Sequence, residues 1–78
     1  MQKKNLRTEH LELICLLNER SATFKVSTIN AKESIGSVFL YDDGGIDPQV
    51  SEVYFMEVYN SVAEYAKEQG FNNPHLWF

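Results

Sequence analysis

The chain has 78 residues, a formal net charge of −4, 44% hydrophobic and 23% charged residues, which is a composition typical of one small folded domain spanning 1–78. No apolar run approaches the roughly eighteen residues needed to cross a bilayer, so we expect no membrane partner. The single cysteine, Cys15, excludes an intramolecular disulfide and a multi-cysteine zinc site, and because an unpaired thiol is typical of a reducing compartment, we expect a cytoplasmic protein.

The N-terminal arm, residues 1–8, is basic and contains Lys3, Lys4 and Arg7. Residues 1–41 carry six basic and four acidic side chains, whereas residues 42–78 carry seven acidic and one basic. Contacts to phosphate groups require clustered lysine and arginine, so this charge balance argues against direct binding of nucleic acid. It indicates instead that the C-terminal half presents an acidic surface.

The segment from His10 to Leu17 has two interpretations. As a helix it would be capped by Thr8, but its apolar side chains would point nearly all round the axis, and so small a domain cannot easily cover such a helix. As a strand it places Leu11, Leu13, Cys15 and Leu17 on one face and Ile14 and Leu16 on the other. We favour the strand, with the helix as the alternative.

Two further strands are predicted downstream. Ala22 to Ile29 is rich in β-branched and aromatic residues, and Ile35 to Tyr41 alternates between two apolar faces. The polar segment between them is short enough for an antiparallel hairpin. The run Asp42-Asp43-Gly44-Gly45 ends the second of these strands with residues that favour a turn. Residues 9–41 therefore predict a three-stranded antiparallel β-meander.

Residues Asp47 to Gly70 predict one long amphipathic helix of about 22 residues. Asp47 is suited to cap the first N–H groups, Pro48 to occupy the first helical position, and Gly70 to end the helix in the left-handed conformation. At about 100° per residue, the apolar side carries Tyr54, Phe55, Val58, Tyr59, Val62, Tyr65 and Ala66. The expected fold is α+β, a two-layer βββα domain with an aromatic C-terminal tail, residues 71–78.

The opposite side of this helix carries an acidic stripe, formed by Glu57, Glu64 and Glu68. Val50 and Val53 lie near the stripe in the first turns. One interpretation is a solvated helix face that aids solubility. The other is a docking surface for a basic protein, such as one that binds nucleic acid, which would associate through complementary charge. These five residues are candidates for partner binding.

A second apolar surface is expected on the sheet. The helix should cover the face that carries Leu11, Leu13, Phe24, Val26, Val38 and Leu40, but the other face is also apolar, with Ile14, Leu16, Ile29, Ile35, Phe39 and Tyr41. An open antiparallel sheet usually has one polar face. The tail residues Leu76, Trp77 and Phe78, a second copy in a homodimer, or a different protein could cover it. Trp77 and Phe78 are therefore further candidates for partner binding.

The sequence contains no evident catalytic constellation. Cys15 lies in the most apolar stretch, where a thiol is usually inert packing, and neither His10 nor His75 stands at a metal-ligand spacing from it. Residues 42–47 lack the alternating oxygen ligands and the closing glutamate of a calcium loop. We expect no enzyme activity, no metal site and no cofactor.

These observations favour a small non-enzymatic protein–protein interaction module, an inhibitor or regulator that acts through the acidic stripe and the aromatic tail. The alternative is a structural or accessory subunit that is completed by homo-oligomerisation or by assembly into a larger complex. Small acidic α+β proteins are frequent among bacteriophage and mobile-element products that block host machinery, but this analogy of composition assigns no role to any residue.

Overall fold

The computed structural model describes residues 5–17, 21–71 and 73–77. In this part of the chain, six strands and one helix follow one another, with the helix α1 between β5 and β6. Their bounds are Leu6–Arg7 (β1), Leu11–Leu17 (β2), Ala22–Thr28 (β3), Ser34–Leu40 (β4), Gly45–Gln49 (β5), Glu52–Glu68 (α1) and His75–Leu76 (β6).

The six strands form one sheet in the order β1-β2-β3-β4-β5-β6, and this sheet curls into a half-barrel. Neighbouring strands are antiparallel except β5 and β6, which are parallel. The helix contacts β1 as well as β4 and β5, because the curl brings distant strands towards it. The prediction of a three-stranded meander followed by a long helix is therefore wrong, although the protein is α+β. The strands β1 and β6 have only two residues each and β5 contains a proline, so none of the three has a strong sequence pattern.

The three strands that the sequence predicts are confirmed as β2, β3 and β4, and residues 11–17 form a strand rather than a helix. Side chains alternate between the two faces of a strand, so each strand presents every second residue to the core. The predicted inner face is fully buried, with 0% exposure at Leu11, Leu13, Phe24, Val26, Val38 and Leu40.

The helix begins later than predicted. Asp47 and Pro48 belong to β5 and pair with β4, so the predicted N-cap and first helical position are both wrong. Ser51 occupies the N-cap position, and its carbonyl accepts a hydrogen bond from the Tyr54 N–H at 2.9 Å. The helix α1 has 17 residues, or about 26 Å at 1.5 Å per residue, rather than the 22 residues predicted.

Pro48 fits into β5 because its nitrogen faces away from β4, the longer of the two neighbouring strands. Ile46, two residues earlier, directs its carbonyl towards β6 and accepts a hydrogen bond from the Trp77 N–H at 2.9 Å. Alternate residues of a strand direct their backbone groups to the same side. Pro48 therefore directs its nitrogen towards the β6 side, and its missing N–H group removes no hydrogen bond from the β4–β5 ladder.

The end of the helix confirms the prediction for Gly70, which has a positive φ of 89° after the C-cap residue Gln69. The Gly70 N–H donates to the Lys67 carbonyl at 3.1 Å, and the Phe71 N–H donates to the Ala66 carbonyl at 3.0 Å. These two bonds form a Schellman motif, which satisfies carbonyls that a helix end would leave without a partner. Phe71 then packs against the core, so the chain turns back towards the sheet.

The core lies between the inner face of the sheet and α1, and Tyr65 is at its centre. The rings of Tyr65 and Phe24 meet edge to face, with centroids 5.3 Å apart. The Tyr65 hydroxyl lies 4.0 Å from Cys15 Sγ. Burial, together with the neighbouring Cys15, raises the pKa of Tyr65 to about 12. Cys15 itself is buried, which agrees with a packing role for its thiol.

Candidate functional site

The C-terminal segment is held against β5 by backbone hydrogen bonds. The His75 N–H donates to the Gly44 carbonyl at 3.0 Å, and the Trp77 N–H donates to the Ile46 carbonyl at 2.9 Å. The register places His75 beside Gly45 and Leu76 beside Ile46. The tail therefore extends the sheet as a parallel strand, and this pairing fixes the position of Trp77.

The glycine pair at the start of β5, Gly44 and Gly45, makes room for this segment. Gly44 has a φ of +92°, and a Cβ atom there would lie 2.8 Å from the Asn73 carbonyl oxygen. A Cβ atom on Gly45 would lie 2.9 Å from Cδ1 of Trp77. Glycine is thus required at both positions because the tail backbone and the indole ring approach so closely. From the sequence alone, these glycines predict only a turn. Two adjacent glycines are the signal that could have indicated the close approach of another chain segment.

Three aromatic rings form a continuous patch, the aromatic patch, made of Phe39, Tyr41 and Trp77. The centroids of Phe39 and Tyr41 are 6.5 Å apart, and those of Tyr41 and Trp77 are 5.5 Å apart. Phe39 and Tyr41 alternate with the buried Val38 and Leu40, so the patch lies on the outer face of the sheet, opposite the helix. Trp77 remains 49% exposed. The aromatic tail therefore covers part of the outer face and still presents a large apolar ring to solvent.

The aromatic patch is flanked by carboxylates. Asp47 pairs with Phe39 across β4 and β5, and it follows Ile46, the neighbour of Leu76. Asp47 and Trp77 are thus adjacent positions on neighbouring strands. Asp42 and Asp43 are exposed in the turn that directly follows Tyr41.

Lys25 of β3 is a basic side chain on the outer sheet face, further from the aromatic patch than the aspartates. Lys25 pairs with Ser37, two residue pairs along the strands from the pair of Thr23 and Phe39. Asp47 lies in the same row of outer-face residues as Phe39, and Asp42 and Asp43 follow Tyr41, whereas Lys25 lies in the next row in the other direction. The outer face is therefore acidic where its aromatic residues are exposed.

Glu57 of the predicted acidic stripe connects the helix to the turn between β1 and β2. Its carboxylate accepts hydrogen bonds from the Thr8 hydroxyl and from the His10 N–H, the latter at 3.2 Å, and lies 3.3 Å from His10 Nδ1. The side chain is only 26% exposed. The Thr8 hydroxyl also accepts a hydrogen bond from the Leu11 N–H at 3.1 Å. Glu57 therefore acts as a clamp between α1 and the β1–β2 turn.

The hydrogen bonds around Glu57 determine the charge of its carboxyl group. The hydrogen bond from Thr8 lowers the pKa of Glu57 below its ordinary value of 4.5, and the interactions with His10 act in the same direction, whereas partial burial opposes them. Donors that favour the ionised form of a carboxyl group stabilise its charge. Glu57 is consequently ionised at neutral pH and holds its donors as a carboxylate.

Glu57 also borders an open cleft of about 530 Å³ between the first turn of α1 and the β3–β4 loop. Val53, Tyr54, Asn30 and Glu33 contribute to its walls. The Glu57 carboxylate already binds donors from Thr8 and His10, so its hydrogen bonds serve the fold. We assign the Glu57 carboxylate a structural role.

The other predicted partner-binding residues are scattered. Glu64 and Glu68 are exposed and border a hollow of about 160 Å³ together with Arg7 of β1. Val50 packs against the core, whereas Val53 is 82% exposed. Phe78 lies outside the described residues. The acidic stripe belongs to the helix on the inner side of the sheet and Trp77 lies on the outer side, so the two do not form one surface.

Within the described residues, no helix is long and apolar enough to cross a membrane. The same part of the chain contains no group of three or more His, Cys, Asp or Glu side chains arranged to hold a metal ion. Comparison of the chain with protein-family models, with curated proteins and with solved structures found no significant match. The case for a function therefore depends on the geometry of the chain itself.

Proposed function

We propose that this protein is a small non-enzymatic interaction module that regulates or inhibits another protein, and that the partner binds at the aromatic patch. The observation that carries the proposal is Trp77, a large aromatic side chain that is 49% exposed although its backbone is fixed in the sheet. Tryptophan and tyrosine are the residues most enriched among those that dominate binding energy at protein interfaces.

The support for Trp77 as an anchor is its rigidity. Its backbone N–H donates a hydrogen bond to the Ile46 carbonyl, its indole ring lies against Gly45, and the Tyr41 ring packs beside it. An anchor that is ordered before binding loses little conformational entropy when the partner docks. An exposed and mobile tail would lack this advantage.

In the proposed binding, the acidic stripe has a smaller role than the aromatic patch. Glu57 makes its hydrogen bonds within the fold, and the side chains of Glu64 and Glu68 are exposed on the helix. Their charge adds to the general attraction of a basic partner and so favours rapid association. We place the protein in the cytoplasm, supported by its single buried cysteine.

The test is affinity capture from the source cells with wild-type protein, Trp77→Ala and the matched control Met56→Ala. Met56 is 58% exposed on the helix, away from the aromatic patch. We expect Trp77→Ala to lose the captured partner and Met56→Ala to retain it, with both variants showing the wild-type circular-dichroism spectrum. Equal capture by wild type and Trp77→Ala would contradict the proposal.

The alternative role, a subunit completed by self-association, is supported by Leu16. This residue is 37% exposed on the outer face and belongs to the same row of paired residues as Phe39. Two copies that faced each other would bury both residues. Light scattering at several protein concentrations decides: a dimer that Leu16→Glu dissociates supports this role, and a monomer at all concentrations contradicts it.

A further inference from the structure

We propose that the aromatic patch and Asp47 bind an arginine-bearing segment of a partner protein, in which a guanidinium group stacks on the Trp77 ring and pairs with the Asp47 carboxylate. This inference rests on the proposed function and specifies its partner. It is carried by the position of Asp47, which pairs with Phe39 on one side and lies beside the Trp77 position on the other.

The charge around the aromatic patch selects a cationic partner. Asp47 is joined by the exposed Asp42 and Asp43 in the turn after Tyr41. Residues 42–78 as a whole carry seven acidic side chains and one basic. A stretch of nucleic acid could stack its bases on such rings, but its phosphates would meet these aspartates and be repelled. A basic protein segment satisfies both the rings and the carboxylates.

The geometry favours arginine over lysine. A guanidinium group is planar, stacks on aromatic faces and can donate two parallel hydrogen bonds to a carboxylate, whereas an ammonium group is a compact and strongly hydrated point charge. The Asp47 carboxylate accepts a hydrogen bond from Gln49 Nε2 at 2.8 Å. This bond orients the carboxylate and leaves acceptor capacity for a second donor.

The outer face also predicts how the segment is oriented. Lys25 lies beside Ser37 and Ile14, in the row of outer-face residues next to the row that holds Asp47. A partner segment should therefore place its arginine near Trp77 and an apolar or acidic residue near Lys25, because like charges that face each other are unfavourable.

The experiment selects random peptides displayed on phage against the wild-type protein and removes those that also bind Trp77→Ala. We expect the remaining peptides to be enriched in arginine over lysine and depleted in aspartate and glutamate. The selected peptides are then synthesised and titrated into the protein. Because Trp77 is the only tryptophan of the chain, its fluorescence reports binding at the aromatic patch directly.

The decisive variant is Asp47→Asn, which keeps an oxygen for Gln49 and removes the charge. We expect its Kd for an arginine peptide to rise about fivefold to thirtyfold, because the charge-assisted pair with the carboxylate is lost while the stacking on the Trp77 ring remains. Glu64→Gln, an exposed carboxylate on the other side of the sheet, is the matched control and should leave the Kd unchanged.

The possible failures of the two proposals are distinguishable. Peptides that depend on Trp77 but show no preference for arginine, or that ignore Asp47→Asn, overturn the arginine assignment and leave the protein-binding function standing. A library that yields no Trp77-dependent peptide counts against both proposals. An oligonucleotide or oligosaccharide that changes Trp77 fluorescence where the peptides do not would replace the protein partner by another class of ligand.

Discussion

Replacing Glu57 by glutamine should destabilise the protein at neutral pH and leave it nearly unaffected at acidic pH. The amide has the shape of a protonated carboxyl group but carries no charge. Its oxygen can still accept hydrogen bonds from Thr8 and the His10 N–H, which the carboxylate accepts in the wild type. The variant therefore isolates the contribution of the negative charge.

The magnitude follows from the contacts of the clamp. A hydrogen bond to a charged group contributes about 1.5–3 kcal/mol, against about 0.5–1.5 kcal/mol for a neutral one. The Glu57 side chain is 26% exposed, so partial solvation keeps the difference towards the low end, about 1 kcal/mol. For a domain of this size, that loss lowers the Tm by about 4–8 °C.

The pH dependence supplies a second and sharper readout. The pKa of Glu57 is lowered in the folded state, so its contribution to stability is complete above the unfolded value near 4.5 and is lost as the pH falls through the lower folded value. The stability difference between wild type and Glu57→Gln should therefore shrink below pH 4.5.

The assay is urea unfolding at a series of pH values from 7 to 3. Glu64→Gln serves as control, because Glu64 is exposed two turns further along the same side of α1, and it should match the wild type throughout. A Glu57→Gln variant as stable as the wild type at pH 7 would refute the clamp. A deficit that persists unchanged at pH 3 would refute its electrostatic origin.

Three further predictions concern the fold. Gly36→Ala should lower the free energy of unfolding by about 2–3 kcal/mol. The reason is that Gly36 has a φ of +143° and the new methyl group would overlap the Gln49 carbonyl oxygen. Gly70→Ala, at a φ of +89° with open space around it, should lower it by only about 1 kcal/mol. Phe24→Ala should cost about 3–5 kcal/mol, since the side chain is fully buried, and a loss below 1 kcal/mol in denaturant unfolding would show that the core is not closed around it. Tyr65, one of four tyrosines, should ionise with a pKa of about 12; the neutral form is the one that folding favours, so stability should fall as the pH rises from 10 towards 12, and an ultraviolet titration of the Tyr65→Phe variant should lose that late step.

The sequence predicts the inner layer of the protein well. The predicted segments 10–17, 22–29 and 35–41 match β2, β3 and β4 to within one residue at each end, and the faces that these strands bury follow because every second residue of a strand points the same way. The apolar side of the helix and its end at Gly70 were also evident, since both depend on local spacing and on the conformational freedom of glycine.

The start of the helix shows where a local signal fails. Asp47 followed by Pro48 is a good beginning for a helix in isolation, but the hairpin at Gly44 continues the chain into a strand that pairs with β4. Hydrogen bonds with a neighbouring strand outweigh a capping preference of about 1 kcal/mol. The helix signal in residues 47–70 takes no account of this strand pairing, because the β4 residues that pair with Asp47 and Pro48 lie outside that segment.

The candidate site depends even more on tertiary structure. The amino-acid sequence by itself determined that the chain is small, that its C-terminal half is acidic and that Leu76, Trp77 and Phe78 are large and apolar. Only the fold decided that the tail becomes a strand beside β5, that Gly45 leaves space for the Trp77 ring, and that this ring meets Tyr41 rather than the helix. These contacts join residues thirty or more positions apart. Long-range pairing of this kind is governed by the shape of the whole sheet rather than by the preference of any short segment.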